Sequence, residues 1–339
     1  MEDDPKKTTI YFRNRLTANP MRNAVLLLVF NRPDITRQVF NAIRAACPPR
    51  LYVAADGPRA NRTGEAERCV EVRRIATSVD WPCDIHTLFR DQNLGCKIGV
   101  SSAISWFFEK EEQGIILEDD VLPVPTFFGY CDELLERYKY DERVAVISGC
   151  NLIVKRFTPS ESYFFSRYNH IWGWASWRRA WRHYDIQMKD WSAWVNEGGL
   201  KRLSNGSRLF EVYWRLAIDN AFSGNIDTWD YQWTFACWRM GGLSVLPANN
   251  QTRNLGFGSD ATHTTTSTPS YVTESVPLPL DFPLVHPGQV ASDAKADAII
   301  DEYIYKISRF KIVQRRILSY PVANTVLRAL RKYGAGSAS

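Results

Sequence analysis

The sequence predicts an α/β fold, in which helices cover both faces of a mostly parallel, doubly wound sheet. Two observations support this class. Short runs of strand length alternate with longer helical patterns over the first 150 residues, and the run over 24–30 is apolar throughout rather than at every second position. Strands that are buried on both faces of a parallel sheet have this continuous apolar character, and a βαβα order generates such a sheet.

The predicted elements follow closely on one another. The strands are residues 24–30, 51–55, 84–89, 114–117 and 144–148. The helices run from Asp34, over 65–79, over about 99–111 and over 127–138. Asp34 follows the first strand and can cap the first helix, which carries Val39, Ile43 and Ala46 on one face.

The second half of the chain has a different composition. Ten of the twelve tryptophans lie between Trp172 and Trp238, and we expect most of them in the core because aromatic rings dominate packing. A stretch rich in proline, serine and threonine, 262–287, predicts an irregular connection that wraps back over the body. Two helical pieces follow, at about 293–318 and 322–332, and Pro321 separates them.

Composition argues against several classes of protein. No apolar run approaches the roughly 18–20 residues that cross a bilayer. The charged N-terminal stretch lacks the apolar segment of a secretory signal, so we expect a cytoplasmic protein. The seven cysteines form no CxxC pair, which argues against a zinc ribbon or a thioredoxin-type site.

The charge of the chain is unevenly distributed. Of the 42 basic residues, eight lie between Lys306 and Lys332, where there is no acidic residue. The other 34 basic residues stand against 37 acidic ones, so we do not expect nucleic acid binding. The basic tail is partly amphipathic, which suits peripheral contact with the inner face of a membrane. The alternative is a helix docked on the body with a solvated basic face.

Three adjacent carboxylates, Glu118, Asp119 and Asp120, end the fourth predicted strand. Like charges this close raise one another's pKa, and a divalent cation removes that cost. Mg²⁺ and Mn²⁺ prefer hard oxygen ligands and keep positions for phosphate oxygens. The alternative is an acidic first turn of a helix, which the helix dipole favours.

Polar residues also end the first two predicted strands, namely Asn31, Arg32 and Asp56. In doubly wound sheets, ligands bind outside the carboxyl ends of the strands. We therefore expect these residues to share one crevice with the three carboxylates. Each has a simpler interpretation, because Arg32 flanks a helix start and Asp56-Gly57-Pro58 is a good turn sequence.

Several segments together resemble the GT-A-fold nucleotide-sugar glycosyltransferases. They are VFNRP, AADGP, RDQNLGCKIGVSSAISWFF, IILEDDVLPVPTFFGY, WGWASW, WDYQW and GFGSDATHT. The likeness spans about residues 23–265. It points in particular to bacterial family-two-like proteins that are related to the eukaryotic N-acetylglucosaminyltransferase of N-glycan processing.

The resemblance implies roles on the donor side. Asp120 would be the direct metal ligand, His263 would complete the metal shell, and Glu118 and Asp119 would orient the ribose and metal-bound waters. Asn31, Arg32 and Asp56 would hold the nucleotide, with Asp56 a candidate acceptor for a uracil N–H. Arg90 and Lys97 would be further donor contacts, although Lys97 is also a typical solvated surface lysine.

The resemblance also implies roles on the acceptor side. Asp230 would be the catalytic base, with Asp227 as the alternative; Asp230 is also suited to the start of a helix beginning at Tyr231. Burial between Trp229 and Trp233 would raise the pKa of Asp230 and fit it for proton abstraction. The sugar site would be formed by Trp172, Gly173, Trp174 and Trp177.

On this basis the chain divides into five parts. They are a flexible N-terminal arm (1–20), a nucleotide-sugar-binding Rossmann-like half (21–150), an acceptor and catalytic half (151–265), an irregular connection (266–290) and a basic helical tail (291–339). The resemblance implies a GT-A fold and a hexosyl- or N-acetylhexosaminyl-transferase dependent on Mn²⁺ or Mg²⁺. The donor would be a UDP-sugar, and the acceptor a glycan or a lipid-linked or protein-linked saccharide.

Two other functions compete with this interpretation. A nucleotidyltransferase acting on sugar phosphates also needs a nucleotide and a metal, but it favours a glycine-rich phosphate loop after the first strand, where this chain has Asn31-Arg32-Pro33. A non-catalytic carbohydrate-binding module would explain the tryptophans but not the acids that end the strands. An aspartyl-phosphate phosphatase fits poorly, because Glu118 stands where its nucleophilic aspartate would be.

Overall fold

The structure is a computed structural model and describes residues 20–257 and 268–313. In these ranges ten strands form a mixed eight-stranded sheet and a separate two-stranded one. The strands are β1 (Ala24–Val29), β2 (Arg50–Ala55), β3 (Asp84–Phe89), β4 (Gln113–Glu118), β5 (Val121–Pro123), β6 (Val144–Ser148), β7 (Tyr163–Ser166), β8 (Trp174–Trp177), β9 (Leu243–Pro247) and β10 (Thr252–Asn254).

The large sheet has the strand order β3-β2-β1-β4-β8-β6-β9-β7. β1 to β4 are parallel to one another, with Val25 opposite both Leu51 and Ile115. β8 is antiparallel to β4 and to β6, β9 is parallel to β6, and the edge strand β7 is antiparallel to β9. The first half of the sheet is therefore parallel as predicted, whereas the second half is mixed.

Eleven helices accompany these strands in the described residues. They are α1 (Pro33–Ala46), α2 (Glu65–Ala76), α3 (Gly95–Lys110), α4 (Thr126–Arg137), α5 (Arg178–Trp181), α6 (Trp191–Asn196), α7 (Gly199–Leu203), α8 (Arg208–Phe222), α9 (Asp230–Arg239), α10 (Ser270–Glu274) and α11 (Ala294–Ile299), and a π-helical turn, Ile300–Ile304, follows α11. None of the described helices is long and apolar enough to cross a bilayer.

Both faces of β1, β2 and β4 are buried, which explains their largely apolar sequences, whereas the edge strand β3 is partly exposed. Val25 and Leu27 of β1 belong to a core with α1, α2 and α4, whereas Leu26 and Leu28 belong to a second core with α3. Successive strand residues point to opposite faces of a sheet. A strand covered on both sides must therefore be apolar at every position.

The tryptophan-rich half has its own core. Four of its tryptophans, Trp191, Trp194, Trp214 and Trp238, pack with residues of α8, α11 and the π-helical turn. The two predicted halves are nevertheless joined by one sheet, because β6 lies before residue 150 and pairs with β8 and β9, which lie after it. In the irregular connection, Leu280 and Leu284 are buried in the same core as Val25.

Two helix predictions differ from the structure. α3 begins at Gly95 rather than near 99, because carboxylates from elsewhere in the fold accept hydrogen bonds from its first N–H groups, as described below. The helix predicted over 293–318 ends in the π-helical turn, and Lys306 (φ 51°) then adopts a left-handed conformation that interrupts it. The piece predicted over 322–332 and the arm up to residue 19 lie outside the described residues.

Candidate active site

A cavity of about 490 Å³ lies where the parallel strands end. Its wall contains residues at the carboxyl ends of β1, β2, β3 and β4, the first turns of α3, and the chain after β10. The sequence-predicted residues that line it are Arg32, Asp56, Arg90, Glu118, Asp119, Asp120 and Trp172. The expected crevice therefore exists, and it collects polar groups from four strand ends.

Two of the three carboxylates at the end of β4, those of Asp119 and Asp120, share one ion-pair partner. Arg32 Nη2 lies 2.5 Å from an oxygen of Asp119 and 3.1 Å from one of Asp120. Asp119 is 3% exposed and also accepts a hydrogen bond from the backbone N–H of Phe30. One guanidinium thus pairs with two carboxylates, the charge of Glu118 lies beside them, and the site carries surplus negative charge.

That surplus perturbs the carboxylates themselves. Burial is the largest cause raising the pKa of Glu118, and the charges of Asp120 and Asp119 add to it. Burial also raises the pKa of Asp119, although Arg32 acts in the opposite direction. A bound cation would remove the cost of holding these groups ionised together.

Asp120 is enclosed by the chain that follows β10. The N–H of Leu255 donates to the carbonyl of Asp120 at 2.7 Å, beside the antiparallel pairing of β10 with β5. A Cβ atom at Gly256 would lie only 2.2 Å from Oδ2 of Asp120, so glycine is required for this approach. His263 comes seven residues later and lies outside the described residues.

The carboxylate of Asp56 is already heavily hydrogen-bonded. It accepts from the N–H groups of Gly57, Leu94 and Gly95 and from the side-chain amide of Asn93, at 2.9–3.2 Å. Burial raises its pKa in spite of these bonds. In this structure Asp56 therefore holds the turn before α3 in place, and little acceptor capacity remains for a uracil N–H.

Asp227 has a similar position on the other side of the same helix start. Its two oxygens accept hydrogen bonds from the backbone N–H groups of Cys96 and Lys97, each at 3.1 Å. It lines the cavity, and it connects the loop before α9 to α3. The geometry assigns Asp227 to helix capping, a role that favours the carboxylate as an acceptor rather than as a base.

Asp230 is the first residue of α9 and does not line the cavity. Its carboxylate accepts from the hydroxyl of Thr228 and from the N–H of Tyr231. It nevertheless lies close to the acidic cluster, because its charge contributes to the raised pKa of Glu118. The structure thus places it beside the cavity and at a helix start, so both interpretations of Asp230 remain open.

The thiol of Cys96 reports how the acidic residues converge. Burial is the largest cause raising its pKa to about 12, and the charges of Glu118, Asp230, Asp227 and Asp56 follow in that order. Cys96 lines the cavity and lies in the first turn of α3. Four carboxylates from distant parts of the sequence are therefore near one atom of the cavity wall.

An arginine that the sequence analysis overlooked also lines the cavity. Arg59 pairs with Glu65 at 2.5 Å, and Glu65 also accepts from the side chain of Asn31 at 2.8 Å. Asn31 therefore supports the loop after β2 and does not itself line the cavity. The position of Arg59, three residues after Asp56 at a strand end, was the signal that could have identified it.

The other two predicted donor contacts differ in position. Arg90 lines the cavity at the end of β3, and its guanidinium donates to the hydroxyl of Ser102 on α3 at 3.2 Å. Lys97 contributes only a backbone N–H to the contact with Asp227, and its side chain is absent from the cavity wall.

The predicted sugar-binding residues separate into a cavity residue and packing residues. Trp172 lines the cavity, and its ring contacts Phe257 edge-on at 5.6 Å. Gly173 (φ 71°) is packed so closely that a Cβ would lie 2.8 Å from Thr252. Trp174 and Trp177 are 1% and 2% exposed. Trp174 stacks on other tryptophans, and Trp177 donates from Nε1 to a backbone carbonyl of α4.

The donor set agrees with a hard divalent cation. Carboxylate oxygens are the ligands that Mg²⁺ and Mn²⁺ prefer, and the negative surplus at the end of β4 is unbalanced by Arg32 alone. In residues 20–257 and 268–313, no three histidine, cysteine, aspartate or glutamate side chains are grouped as a metal site. Asp120 would therefore need ligands from phosphate, from water or from the segment containing His263.

Comparisons with known proteins add little. No family model and no curated protein matches the chain. Among solved structures, the glycosyltransferase GlyE of Streptococcus pneumoniae TIGR4 is similar, with 11% sequence identity and a TM-score of 0.29. The match covers 66% of this chain but only 45% of that one, so the chain spans less than half its length. A likeness this slight supports neither a fold assignment nor a function.

Proposed function

We propose that this protein is a glycosyltransferase of the GT-A type, which transfers a sugar from a nucleoside diphosphate, UDP in the first instance, to an acceptor hydroxyl. One observation carries the proposal. Three carboxylates at the end of a buried parallel strand face a cavity that also receives the ends of three neighbouring strands. This is the position at which such sheets bind nucleotides.

Asp120 and His263 are the residues that would hold a divalent cation, with Glu118 and Asp119 behind them. When bound, Mn²⁺ or Mg²⁺ supplies Lewis-acid stabilisation of the negative charge on a diphosphate leaving group. The surplus of carboxylates over guanidinium groups supports this assignment. Because Gly256 has no side chain, the backbone after β10 can lie close to the carboxylate of Asp120; a side chain at this position would displace that carboxylate.

The cationic and aromatic residues would hold the two substrates. Arg32 fixes Asp119 and Asp120 in one orientation, so the carboxylates are preorganised before a ligand enters. Arg90 reaches the cavity from β3 and would contact the donor. Trp172 borders the cavity near Phe257 and would pack against a sugar ring.

Asp230 would accept the proton of the acceptor hydroxyl as its oxygen forms a bond to the anomeric carbon. The bond between that carbon and the diphosphate oxygen breaks in the same displacement, so the configuration inverts. Its closeness to the carboxylates at the end of β4 supports this role, since the charge of Asp230 contributes to the raised pKa of Glu118. Asp227 is the weaker candidate, since its oxygens are occupied by two backbone N–H groups.

A thermal-shift screen of nucleotide sugars, each with and without Mn²⁺, tests the proposal. A ligand present at 100 times its Kd stabilises the folded state by about 2.7 kcal/mol. We expect stabilisation by at least one nucleoside diphosphate sugar, and a larger effect when Mn²⁺ is present. The stabilising donor is then assayed for release of nucleoside diphosphate with added saccharide acceptors.

Two results would contradict the proposal. Stabilisation by free glycan but by no nucleotide would identify a carbohydrate-binding module. Formation of a nucleotide sugar from a nucleoside triphosphate and a sugar phosphate would identify a nucleotidyltransferase. Neither result is compatible with a site built for displacement at an anomeric carbon with a nucleoside diphosphate as the leaving group.

A further inference from the structure

Arg59 is held in the cavity wall by an unusually complete set of contacts. Its Nε lies 3.1 and 3.0 Å from the two oxygens of Glu65, and its Nη2 lies 2.5 Å from one of them. The backbone N–H of Arg59 donates to the same carboxylate at 2.7 Å. The guanidinium plane is therefore fixed by a fork, a geometry that lysine cannot reproduce.

Glu65, whose carboxylate accepts these hydrogen bonds from Arg59, is itself buried and held in place. Glu65 is 1% exposed, and Arg59 lowers its pKa to about 2, with a further contribution from Asn31. Asn31 follows β1, and Glu65 begins α2, so the loop that carries Arg59 is tied to two elements of the fold. The side chain of Arg59 is positioned before any ligand arrives.

The guanidinium of Arg59 also packs against an aromatic ring, and its Nη1 is free to donate hydrogen bonds. It lies over the ring of Phe30 with 5.4 Å to the centroid, and both side chains line the cavity. The side chain of Arg59 remains 40% exposed. Among the described residues no acceptor takes a hydrogen bond from its Nη1. A planar, preorganised surface with the N–H groups of Nη1 available thus borders the cavity.

This arrangement is better suited to a planar ring than to phosphate. Glu65 neutralises the charge of Arg59, so the pair presents little net attraction for an anion. A guanidinium plane can stack on an aromatic ring whatever the net charge, and Nη1 can donate to a carbonyl oxygen in the plane of that ring.

The neighbouring carboxylates limit which ring would fit. Asp56 accepts from four groups, and Glu65 accepts from Arg59 and Asn31, so both acceptors are occupied. The cavity wall at this point offers a donor rather than an acceptor. A base edge with carbonyl oxygens matches it, whereas the exocyclic amino group of cytosine or adenine does not.

We propose that Arg59, which packs on Phe30 and is held by Glu65, determines the nucleotide specificity of this site. It stacks on a uracil base and donates from Nη1 to the carbonyl oxygen at C4, where cytosine carries an amino group. The inference rests on the proposed function. Glu65 is then a positioning residue, because it acts on the base only through Arg59.

Calorimetric titration of UDP and CDP, with Mn²⁺ present, tests this role. We expect Arg59→Ala to weaken UDP binding by about tenfold or more, as loss of a stacking contact does, and to reduce the preference for UDP over CDP. Binding of inorganic pyrophosphate should change much less. Arg62→Ala removes the same charge from an exposed residue of the same loop and should leave all three affinities unchanged.

Arg59→Lys distinguishes the plane from the charge. It keeps the positive charge but loses the fork, so it should resemble Arg59→Ala in UDP binding; full retention of UDP affinity by the lysine variant would overturn the proposal. Equal UDP affinities in Arg59→Ala and Arg62→Ala would also overturn it, and would leave the proposed glycosyltransferase function intact. A wild-type protein that binds no nucleoside diphosphate would overturn both.

Discussion

The cavity at the strand ends and the tryptophan-rich half differ in what their side chains do for the fold. At the cavity, three carboxylates are adjacent and only two of them pair with a guanidinium, and burial raises the pKa of Glu118 and Asp119. In the second half, Trp174 packs on Trp181, Trp229 and Trp233, with ring centroids about 6 Å apart. The carboxylate cluster lowers the free energy of unfolding, whereas the packing of the tryptophans raises it.

This difference separates residues kept for chemistry from residues kept for packing. Proteins tolerate electrostatic strain at functional sites when the rest of the fold is stable enough to hold it. Substitutions in the two regions should therefore have opposite signatures. Changes at the cavity should alter activity with little loss of stability, and changes among the tryptophans should do the reverse.

The largest effect on activity is expected for Asp120→Ala. Loss of this carboxylate should lower kcat/KM by about 100- to 1,000-fold, the range seen when a group that stabilises developing charge is removed. The midpoint of thermal unfolding should stay the same or rise, because repulsion within the cluster decreases. A matched drop in activity and unfolding midpoint would indicate instead that Asp120 has a structural role.

Trp174→Ala should show the opposite signature. Trp174 is 1% exposed, and removal of so large a buried ring should lower the free energy of unfolding by about 3–5 kcal/mol. Trp172→Ala is the matched control, since Trp172 lines the cavity and is only partly buried. It should lower substrate affinity at nearly unchanged stability, as chemical denaturation and steady-state kinetics can measure. If both variants were destabilised to a similar extent, Trp172 would serve packing just as Trp174 does, and the two regions would not differ in this respect.

Gly256→Ala probes the cavity without removing a charge. The added methyl group would lie 2.2 Å from Asp120 Oδ2, so the carboxylate must move. We expect Mn²⁺-dependent activity to fall by about tenfold to 100-fold, because misplacement by about 1 Å at a catalytic group costs this much. Gly288→Ala is the control, since no atom lies within 4 Å of its added Cβ. Indistinguishable kinetics for the two variants would show that the position of Asp120 is unimportant.

The smallest expected effect is on the pH dependence of stability, and it comes from Asp297, a buried acid that packs beside the tryptophan-rich half. Burial raises the pKa of Asp297 to about 6, although Ser166 and Arg167 act in the opposite direction. The folded form therefore binds the proton more tightly than the unfolded chain. Its contribution to stability is largest below about pH 4 and is lost as pH rises through 6.

Asp297→Asn should flatten this part of the stability profile. The change in the free energy of unfolding between pH 4 and 7 should decrease by at most about 3 kcal/mol, which a shift of two pKa units allows. Urea denaturation at several pH values measures it. A slope that is as steep in the variant as in the wild type would show that Asp297 titrates normally.

The sequence predicted the parallel half of the sheet well because its signal is local. Apolar runs and turn residues located β1, β2 and β4, the βα alternation located β3, and the rule that ligands bind at strand ends brought Arg32 and Asp120 together. The mixed half was not predicted. The antiparallel entry of β8 depends on long-range pairing with β4 and β6, which periodicity does not encode.

The site was predicted in part for the same reason. Strand ends located Asp56, but only the fold reveals that its oxygens are occupied by the start of α3. Asp227 and Cys96 are 131 residues apart in sequence, so the hydrogen bond between them left no local signal. Arg59 was missed because its significance depends on Glu65 and Phe30, which a motif search does not connect to it.

A cation that joins the acidic end of β4 to a diphosphate is the central element of the proposed mechanism. The direct measurement is a calorimetric titration of Mn²⁺ into wild-type protein and Asp120→Ala, each saturated with UDP. We predict stoichiometric binding by the wild type and greatly weakened binding by the variant. Equal affinity of the two proteins for Mn²⁺ would contradict the central claim.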